Sequence, residues 1–285
     1  MLLHITHTTT YHYAPQVNTA QHMAHLLPRD GTSQTVHAAH MQITPEPQTC
    51  SEHVDVFGNK RTFFSLPVAH DTLHIVATST VETHFIPFAP ELAEHTPAWE
   101  KVRDHFLYHA GAAWDAATEF VFASPYVQPH ADFADYARAS FTPQRPVLLA
   151  ACDLMSRIHK EFKYASASTD INTPALEALA QREGVCQDFA HILLGCLRTQ
   201  GLAARYVSGY LLTEVPEGKT RLIGSDASHA WVSVYVPHTQ EDGSLATNGQ
   251  WFDLDPTNDR WGLDSPGIDY VTLAIGRDYA DVSPV

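Results

Sequence analysis

Long apolar runs are missing from these 285 residues, and nowhere do the roughly 18 uninterrupted apolar positions of a membrane-spanning helix occur. Positive charge is scarce. Lys and Arg number 17 against 32 Asp and Glu, a formal net charge of −15. Nucleic acid and anionic membrane both require clustered basic side chains, so neither is expected as a partner. Cysteine is rare as well: Cys50, Cys152, Cys186 and Cys196 show no zinc or redox pair spacing and suggest no disulfide framework in a chain this long. Reduced thiols of the cytoplasm are the simple reading. The stretch Met1-Leu2-Leu3-His4-Ile5-Thr6-His7 alternates like a strand and lacks the basic and apolar regions of a signal peptide, which also points to the cytoplasm. No calcium loop and no Cys/His zinc spacing is found, so no metal or other cofactor is expected.

What is present is ample core material, 44% hydrophobic, and a length that suits two domains. Residues 1–85 read as short strands: a segment holding Ile5, Tyr11 and Tyr13, then Val36 to Ile43, Thr62 to Leu66 and Leu73 to Val81. Turn signals at Pro15, Pro28-Arg29-Asp30-Gly31, Pro45-Glu46-Pro47 and Phe57-Gly58-Asn59 separate them, as in an antiparallel sandwich. Residues 86–146 read as connecting helices and loops, with a helix around Trp99 to Ala117. From 147 onward the order is helix (Leu148 to Phe162), short helix (Pro174 to Arg182), a third helix, then strands at Arg205 to Leu212, His229 to Val236 and Gln250 to Asp255. Helices first and antiparallel strands after make the class α+β. The 19 histidines are scattered. The pairs His22/His25 and His105/His109 lack a metal-site context and are expected on solvated faces.

The third helix carries the chemistry. In Gly184-Val185-Cys186-Gln187-Asp188-Phe189-Ala190, the positions Cys186, Phe189, Ala190, Leu193, Leu194 and Leu197 form one apolar stripe, and Gly201 is placed to end the helix. Cys186 therefore lies in the first turn, where the positive end of the helix dipole favours thiolate. Downstream come Ser228-His229-Ala230-Trp231 and Asp253-Leu254-Asp255-Pro256-Thr257. His229, Trp231, Ser233 and Tyr235 share one strand face; Trp251, Asp253 and Asp255 share one face of the next strand. With a hairpin loop from His238 to Gly249, a register pairing His229 with Asp255 is plausible. Strand parity does not separate Asp253 from Asp255, but position at the strand end, before Pro256, favours Asp255.

These segments, with Gly201-Leu202-Ala203-Ala204-Arg205-Tyr206-Val207-Ser208-Gly209-Tyr210-Leu211 and Asp255-Pro256-Thr257-Asn258, resemble the bacterial transglutaminase-like superfamily. Phe162-Lys163-Tyr164 and residues 169–174 are similar to its segment before the nucleophile. His7-Thr8-Thr9-Thr10-Tyr11-His12-Tyr13, Leu27-Pro28-Arg29 and Asp55-Val56-Phe57-Gly58-Asn59 resemble the β domain that precedes the core in many bacterial members. The resemblance implies a papain-like core over residues 147–285, a nucleophile helix packed on an antiparallel sheet. Its triad is Cys186 as nucleophile, His229 as base and Asp255 as the carboxylate orienting the base.

Such a triad attacks an amide carbonyl through a thioester intermediate. The backbone N–H of Cys186 is the simplest oxyanion donor, with Tyr164 and Gln187 as candidates for a second. Trp231 and Tyr210 are candidate apolar lining of the substrate groove. The expected partner is a peptide or protein offering a side-chain or backbone amide. A cysteine peptidase or amidase is favoured; the alternatives are a cross-linking amine transferase and a peptide-binding module that does little chemistry on the same fold. Because no metal motif is found, activity is expected to survive EDTA; a complete loss restored by calcium would contradict this.

Overall fold

The computed structural model describes residues 1–111, 113–165, 173–212, 223 and 228–285. The first part is strand throughout: β1 (Leu2–Val17), β2 (Ala20–Ala24), β3 (Gln34–Thr44), β4 (Thr49–Val54), β5 (Lys60–Leu66) and β6 (His70–Thr83). They form two antiparallel three-stranded sheets, ordered β1-β6-β3 and β2-β5-β4. Period-2 burial along β6, with Leu73, Ile75 and Ala77 inward, meets Phe64 and Leu66 of β5 and Ile43 of β3 in one apolar cluster. Two facing sheets sharing that cluster make the expected sandwich. The alternation in β2 and β4 is too short and too polar to identify from sequence, and both strands escaped it.

Between residues 86 and 146 the expected helix from Trp99 to Ala117 is cut short. Helix α1 covers only Trp99–His105, and a separate 3-10 turn spans Ala116–Val121, capped by the Asp115 carboxylate accepting from Ala117 N at 2.9 Å. His105 turns inward to the same Asp115, 2.9 Å from Oδ2, so the solvated-face expectation fails for it. His25 is likewise buried, its Nδ1 held 2.9 Å from the Ser283 carbonyl, and His22 stacks on Phe64. Helix α2 (Ala131–Ala137) delivers Phe133 and Tyr136 to the main core.

That core is built around α3 (Val147–Glu161) and α5 (Cys186–Thr199). Between them lie β7 (Lys163–Tyr164), α4 (Ala175–Gln181) and β8 (Glu183–Gly184); the two strands pair in parallel. The last part is an antiparallel five-stranded sheet of β9 (Ala204–Leu211), β10 (His229–Thr239), β11 (Leu245–Asp255), β12 (Arg260–Leu263) and β13 (Tyr270–Gly276), ordered β12-β11-β10-β9-β13. Ala230, Val232, Val234 and Val236 of β10 turn to α5, whose Ile192, Leu193 and Leu197 are fully buried against that face. Helix α5 ends in a Schellman motif: Gly201, at φ +75°, donates to the Arg198 carbonyl and Leu202 to that of Leu197. The α+β arrangement of a helix packed on an antiparallel sheet is thus what the chain adopts.

The other face of the sheet receives the sandwich. Two side-chain amides act there as surrogate backbone. Gln34 Nε2 donates to the Thr272 carbonyl and its Oε1 accepts from Thr272 N, both at 2.7 Å. Asn59 Nδ2 donates to the Ile275 carbonyl at 2.7 Å and its Oδ1 accepts from Ile275 N at 2.8 Å. They serve edge strand β13 around its irregularity between Thr272 and Ala274. Asn59 ends the Phe57-Gly58-Asn59 turn, so its turn chemistry concealed a docking role. Replacing it by Ala leaves two buried backbone groups unpaired, and Asn59→Ala is expected to destabilise the fold by about 2–4 kcal/mol in urea denaturation.

Candidate active site

Cys186 is the first residue of α5, preceded by Val185 in extended conformation. The Val185 N–H donates to Asp188 Oδ2 at 2.8 Å, so the carboxylate at the third helical position folds back to cap the helix. Gly184 makes this possible, because a Cβ there would lie 2.6 Å from Asp188 Oδ2. The half-buried thiol consequently sits among first-turn N–H groups that have no intrahelical acceptor, at the positive end of the helix dipole.

His229 opens β10 with a side chain wholly out of solvent, and its Nε2 lies 2.8 Å from Asp255 Oδ2 at the end of β11. Nδ1 is also buried and, among the described residues, has no nitrogen or oxygen hydrogen-bond partner. On that side the Cys186 thiol is near enough to raise the ring's pKa. Burial opposes the imidazolium, but the Asp255 charge and hydrogen bond, helped by Cys186, outweigh it and push the pKa up to about 10. Asp255 is fully buried, which disfavours its charge. His229 and hydrogen bonds from Asn258 and Tyr270 more than offset that penalty and hold the carboxyl below its usual range.

Asp255 is accordingly a hub. Oδ2 accepts from His229, from Tyr270 OH at 2.7 Å and from Asn258 Nδ2 at 2.8 Å, while Oδ1 accepts from Thr257 N at 2.8 Å. The turn that follows is pinned to α3 by His159 Nδ1, 3.0 Å from the Thr257 carbonyl, and by Ser156 hydrogen-bonding to Asp259. Tyr270 was not foreseen: it arrives from β13, and no local motif marks it. Asn258 stood in the quoted Asp-Pro-Thr-Asn segment without an assigned role.

The hairpin register needs correction. Val232 pairs with Leu254 and Ser233 with Asp253, which places Asp255 opposite Trp231 and diagonal to His229. The strands also extend further than expected, to Thr239 and from Leu245, leaving a tight turn in place of a loop from His238 to Gly249. The two-residue offset preserves the shared face, and the long imidazole spans the diagonal. Asp253 is held elsewhere. It accepts from Trp231 Nε1 at 2.7 Å and from Ser233 Oγ, and burial raises its pKa to about 6 against the influence of Arg205 and those two donors.

Of the remaining candidates, Tyr164 pairs across the short parallel bridge with Gly184, two residues before Cys186. Its phenol is half-buried and its pKa is pushed up to about 12, first by burial and then by neighbouring Cys186, Asp255 and Asp188. Gln187 is the second residue of α5 and half-buried. Trp231 is completely buried between Val207 and Tyr270, so it lines no groove open to substrate; it backs His229, with ring centroids 6.1 Å apart. Tyr210 reaches across to the sandwich, its OH 3.1 Å from His7 Nδ1. Residues 169–172 of the segment preceding Cys186 lie outside the described residues.

This arrangement has relatives. Residues 3–82 match the bacterial transglutaminase-like N-terminal region, and residues 134–256 match the transglutaminase-like superfamily core. An uncharacterized protein of Mycobacterium tuberculosis is 41% identical over 284 residues, spanning 99% of this chain and 85% of its own length. A Mycobacterium leprae relative is 29% identical over 288 residues, spanning 99% and 91%. A crystal structure from Cytophaga hutchinsonii, of a protein provisionally assigned as a cysteine protease, superposes with a TM-score of 0.72 at 21% identity, covering 99% of this chain and 86% of the other. The chain belongs to the transglutaminase-like superfamily.

The pKa pattern has a sign. A His229 pKa raised from 6.5 to about 10 means the ion pair stabilises the fold fully below pH 6.5 and ceases to do so as pH rises through about 10. Asp255→Asn removes the charge that outweighs burial. The imidazole pKa is therefore expected to fall below 6.5 in that variant, followed by NMR titration of the ring protons, and the alkaline loss of melting temperature is expected to disappear.

Proposed function

We propose that this protein is a thiol-dependent hydrolase of peptide-type amides, a cysteine peptidase or amidase, with Cys186, His229 and Asp255 as its catalytic triad. The observation that carries the reading is the 2.8 Å His229–Asp255 hydrogen bond beside a half-buried cysteine at a helix N-terminus. In the first step the Cys186 thiolate adds to the amide carbonyl, and the oxyanion is met by the Cys186 N–H, with Tyr164 or Gln187 as the second donor. His229 gives its proton to the leaving amine through Nδ1 as the C–N bond breaks, leaving a thioester. Water, deprotonated by His229, then adds to the thioester; the C–S bond breaks, and the acid and the free thiol are released. Asp255 keeps Nε2 protonated and the ring oriented throughout. Residues 147–285 would form the catalytic core, with residues 1–85 as a supporting β domain and 86–146 as the connection. Four cysteines without a disulfide fit a reducing compartment, in agreement with a cytoplasmic site of action. Among the described residues no helix is long and apolar enough to cross a membrane.

Water is favoured over an amine as the second nucleophile. Amine transfer needs a lined channel that excludes water and desolvates a lysine. Neither aromatic residue considered for that channel supplies it: Trp231 is wholly buried and Tyr210 is tied to His7. A peptide library incubated with a labelled primary amine, analysed by mass spectrometry, is expected to yield more acid than amine adduct. Amine incorporation outpacing acid release at millimolar amine would overturn the hydrolase assignment. Cys186→Ala is expected to abolish turnover with the fold intact, since a small residue replaces a small one. Asp255→Ala should retain a small residual rate and Asp253→Ala should be milder.

A further inference from the structure

On the face of the sheet opposite α5, where the sandwich docks, lies a cavity of about 360 Å³. It is lined from the sheet by Arg205, Trp251 and Asp253 and from the sandwich side by Arg29 and Asp30. None of the triad residues borders it. Its size is that of a small-molecule site.

The charged groups of the lining are matched with one exception. Asp253 accepts two side-chain hydrogen bonds, from Trp231 and Ser233. Asp30 accepts from Val36 N at 2.8 Å, and Asp264 accepts from Thr32 Oγ1 at 2.6 Å. Arg29 donates to the Phe57 carbonyl at 2.8 Å. Arg205 alone among these charged groups has no hydrogen bond and no ion pair, and its Nε is buried without a partner. Its guanidinium lies over the Trp251 indole, Cζ 4.1 Å from the ring centroid. That contact engages the guanidinium face and leaves the two terminal Nη groups, which make no hydrogen bond among the described residues, to meet a ligand. The residue is half-buried, its Nε wholly so, and this partial burial pulls the Arg205 pKa down to about 10.

We propose that this cavity is a binding site for a small molecule bearing an oxyanion, carboxylate or phosphate, which Arg205 grips in the plane of its guanidinium against Trp251. The planar fork matches either anion through two parallel N–H···O bonds. The site is separate from the amide chemistry assigned to the other end of the sheet, and anion binding does not depend on that chemistry.

The test is calorimetric titration of the full-length protein with inorganic phosphate and, separately, with acetate, together with crystals soaked in each anion. Saturable binding of at least one anion is expected, with density against the Arg205 guanidinium. In Arg205→Lys, which keeps the charge but loses the fork, affinity should fall at least tenfold. Cys186→Ala should bind like the wild type, so loss of the amidase reading would leave this one standing. The two anions discriminate a phosphate ligand from a carboxylate. Absence of saturable heat and of density with both anions would overturn the proposal, as would undiminished binding by a folded Arg205→Lys. Should Arg205→Lys fail to fold, the soaked wild-type crystals decide: an anion bound in the cavity away from Arg205 contradicts the assignment.

Discussion

A buried carboxylate is affordable only when its surroundings supply donors, and Asp255 is the point at which this fold supplies them. Five donors from β10, from the turn after β11 and from β13 converge on its two oxygens. Removing it would orphan an imidazole, a phenol and an amide at once. The ends of β10 and β11, the position of β13 and the orientation of His229 all follow from satisfying that one group. The same requirement ties the sheet to α3, through His159 and Ser156, and so to the core on which the Cys186 helix rests.

The Cys186 side is built by different means. Asp188 caps its own helix and is accommodated because Gly184 lacks a side chain, so the backbone on either side of Cys186 is fixed by the cap. The two halves meet at His229, one ring nitrogen engaged by Asp255 and the other turned to the thiol side. Burial and ion pairing act there in opposite directions, and pairing prevails. An imidazolium is thereby favoured in a place where burial alone would give a neutral ring.

Much of this was legible in the chain. The apolar stripe from Cys186 to Leu197 identified α5 and its buried face, because helical period survives tertiary context when the stripe is long. The strand parity of His229 and Asp255 also held, since a shared face depends only on a period of two. The register did not: a two-residue offset keeps the parity, so alternation carries no information about it. Tyr270 was invisible for a similar reason, being brought to Asp255 by the β9–β13 pairing and not by nearby sequence. Trp231 looked like groove lining on parity, yet that face of the sheet is covered by the sandwich. Asn59 was hidden in a turn segment whose residue types already had a local explanation, and Gln34, at the start of β3, lay outside every motif. The histidine pairs failed where burial was decided by distant partners, Asp115 for His105 and Ser283 for His25.

The central claim is that Cys186 is activated by its place in the fold, and the other three thiols provide internal controls. Cys50 is exposed on strand β4, Cys152 is half-buried, and Cys196 is fully buried, with burial raising the pKa of both latter thiols. Limited labelling with iodoacetamide near neutral pH, followed by peptide mapping, compares all four in one reaction. The account predicts that Cys186 is alkylated far faster than the more exposed Cys50. Labelling that follows exposure alone, with Cys50 first, would contradict it.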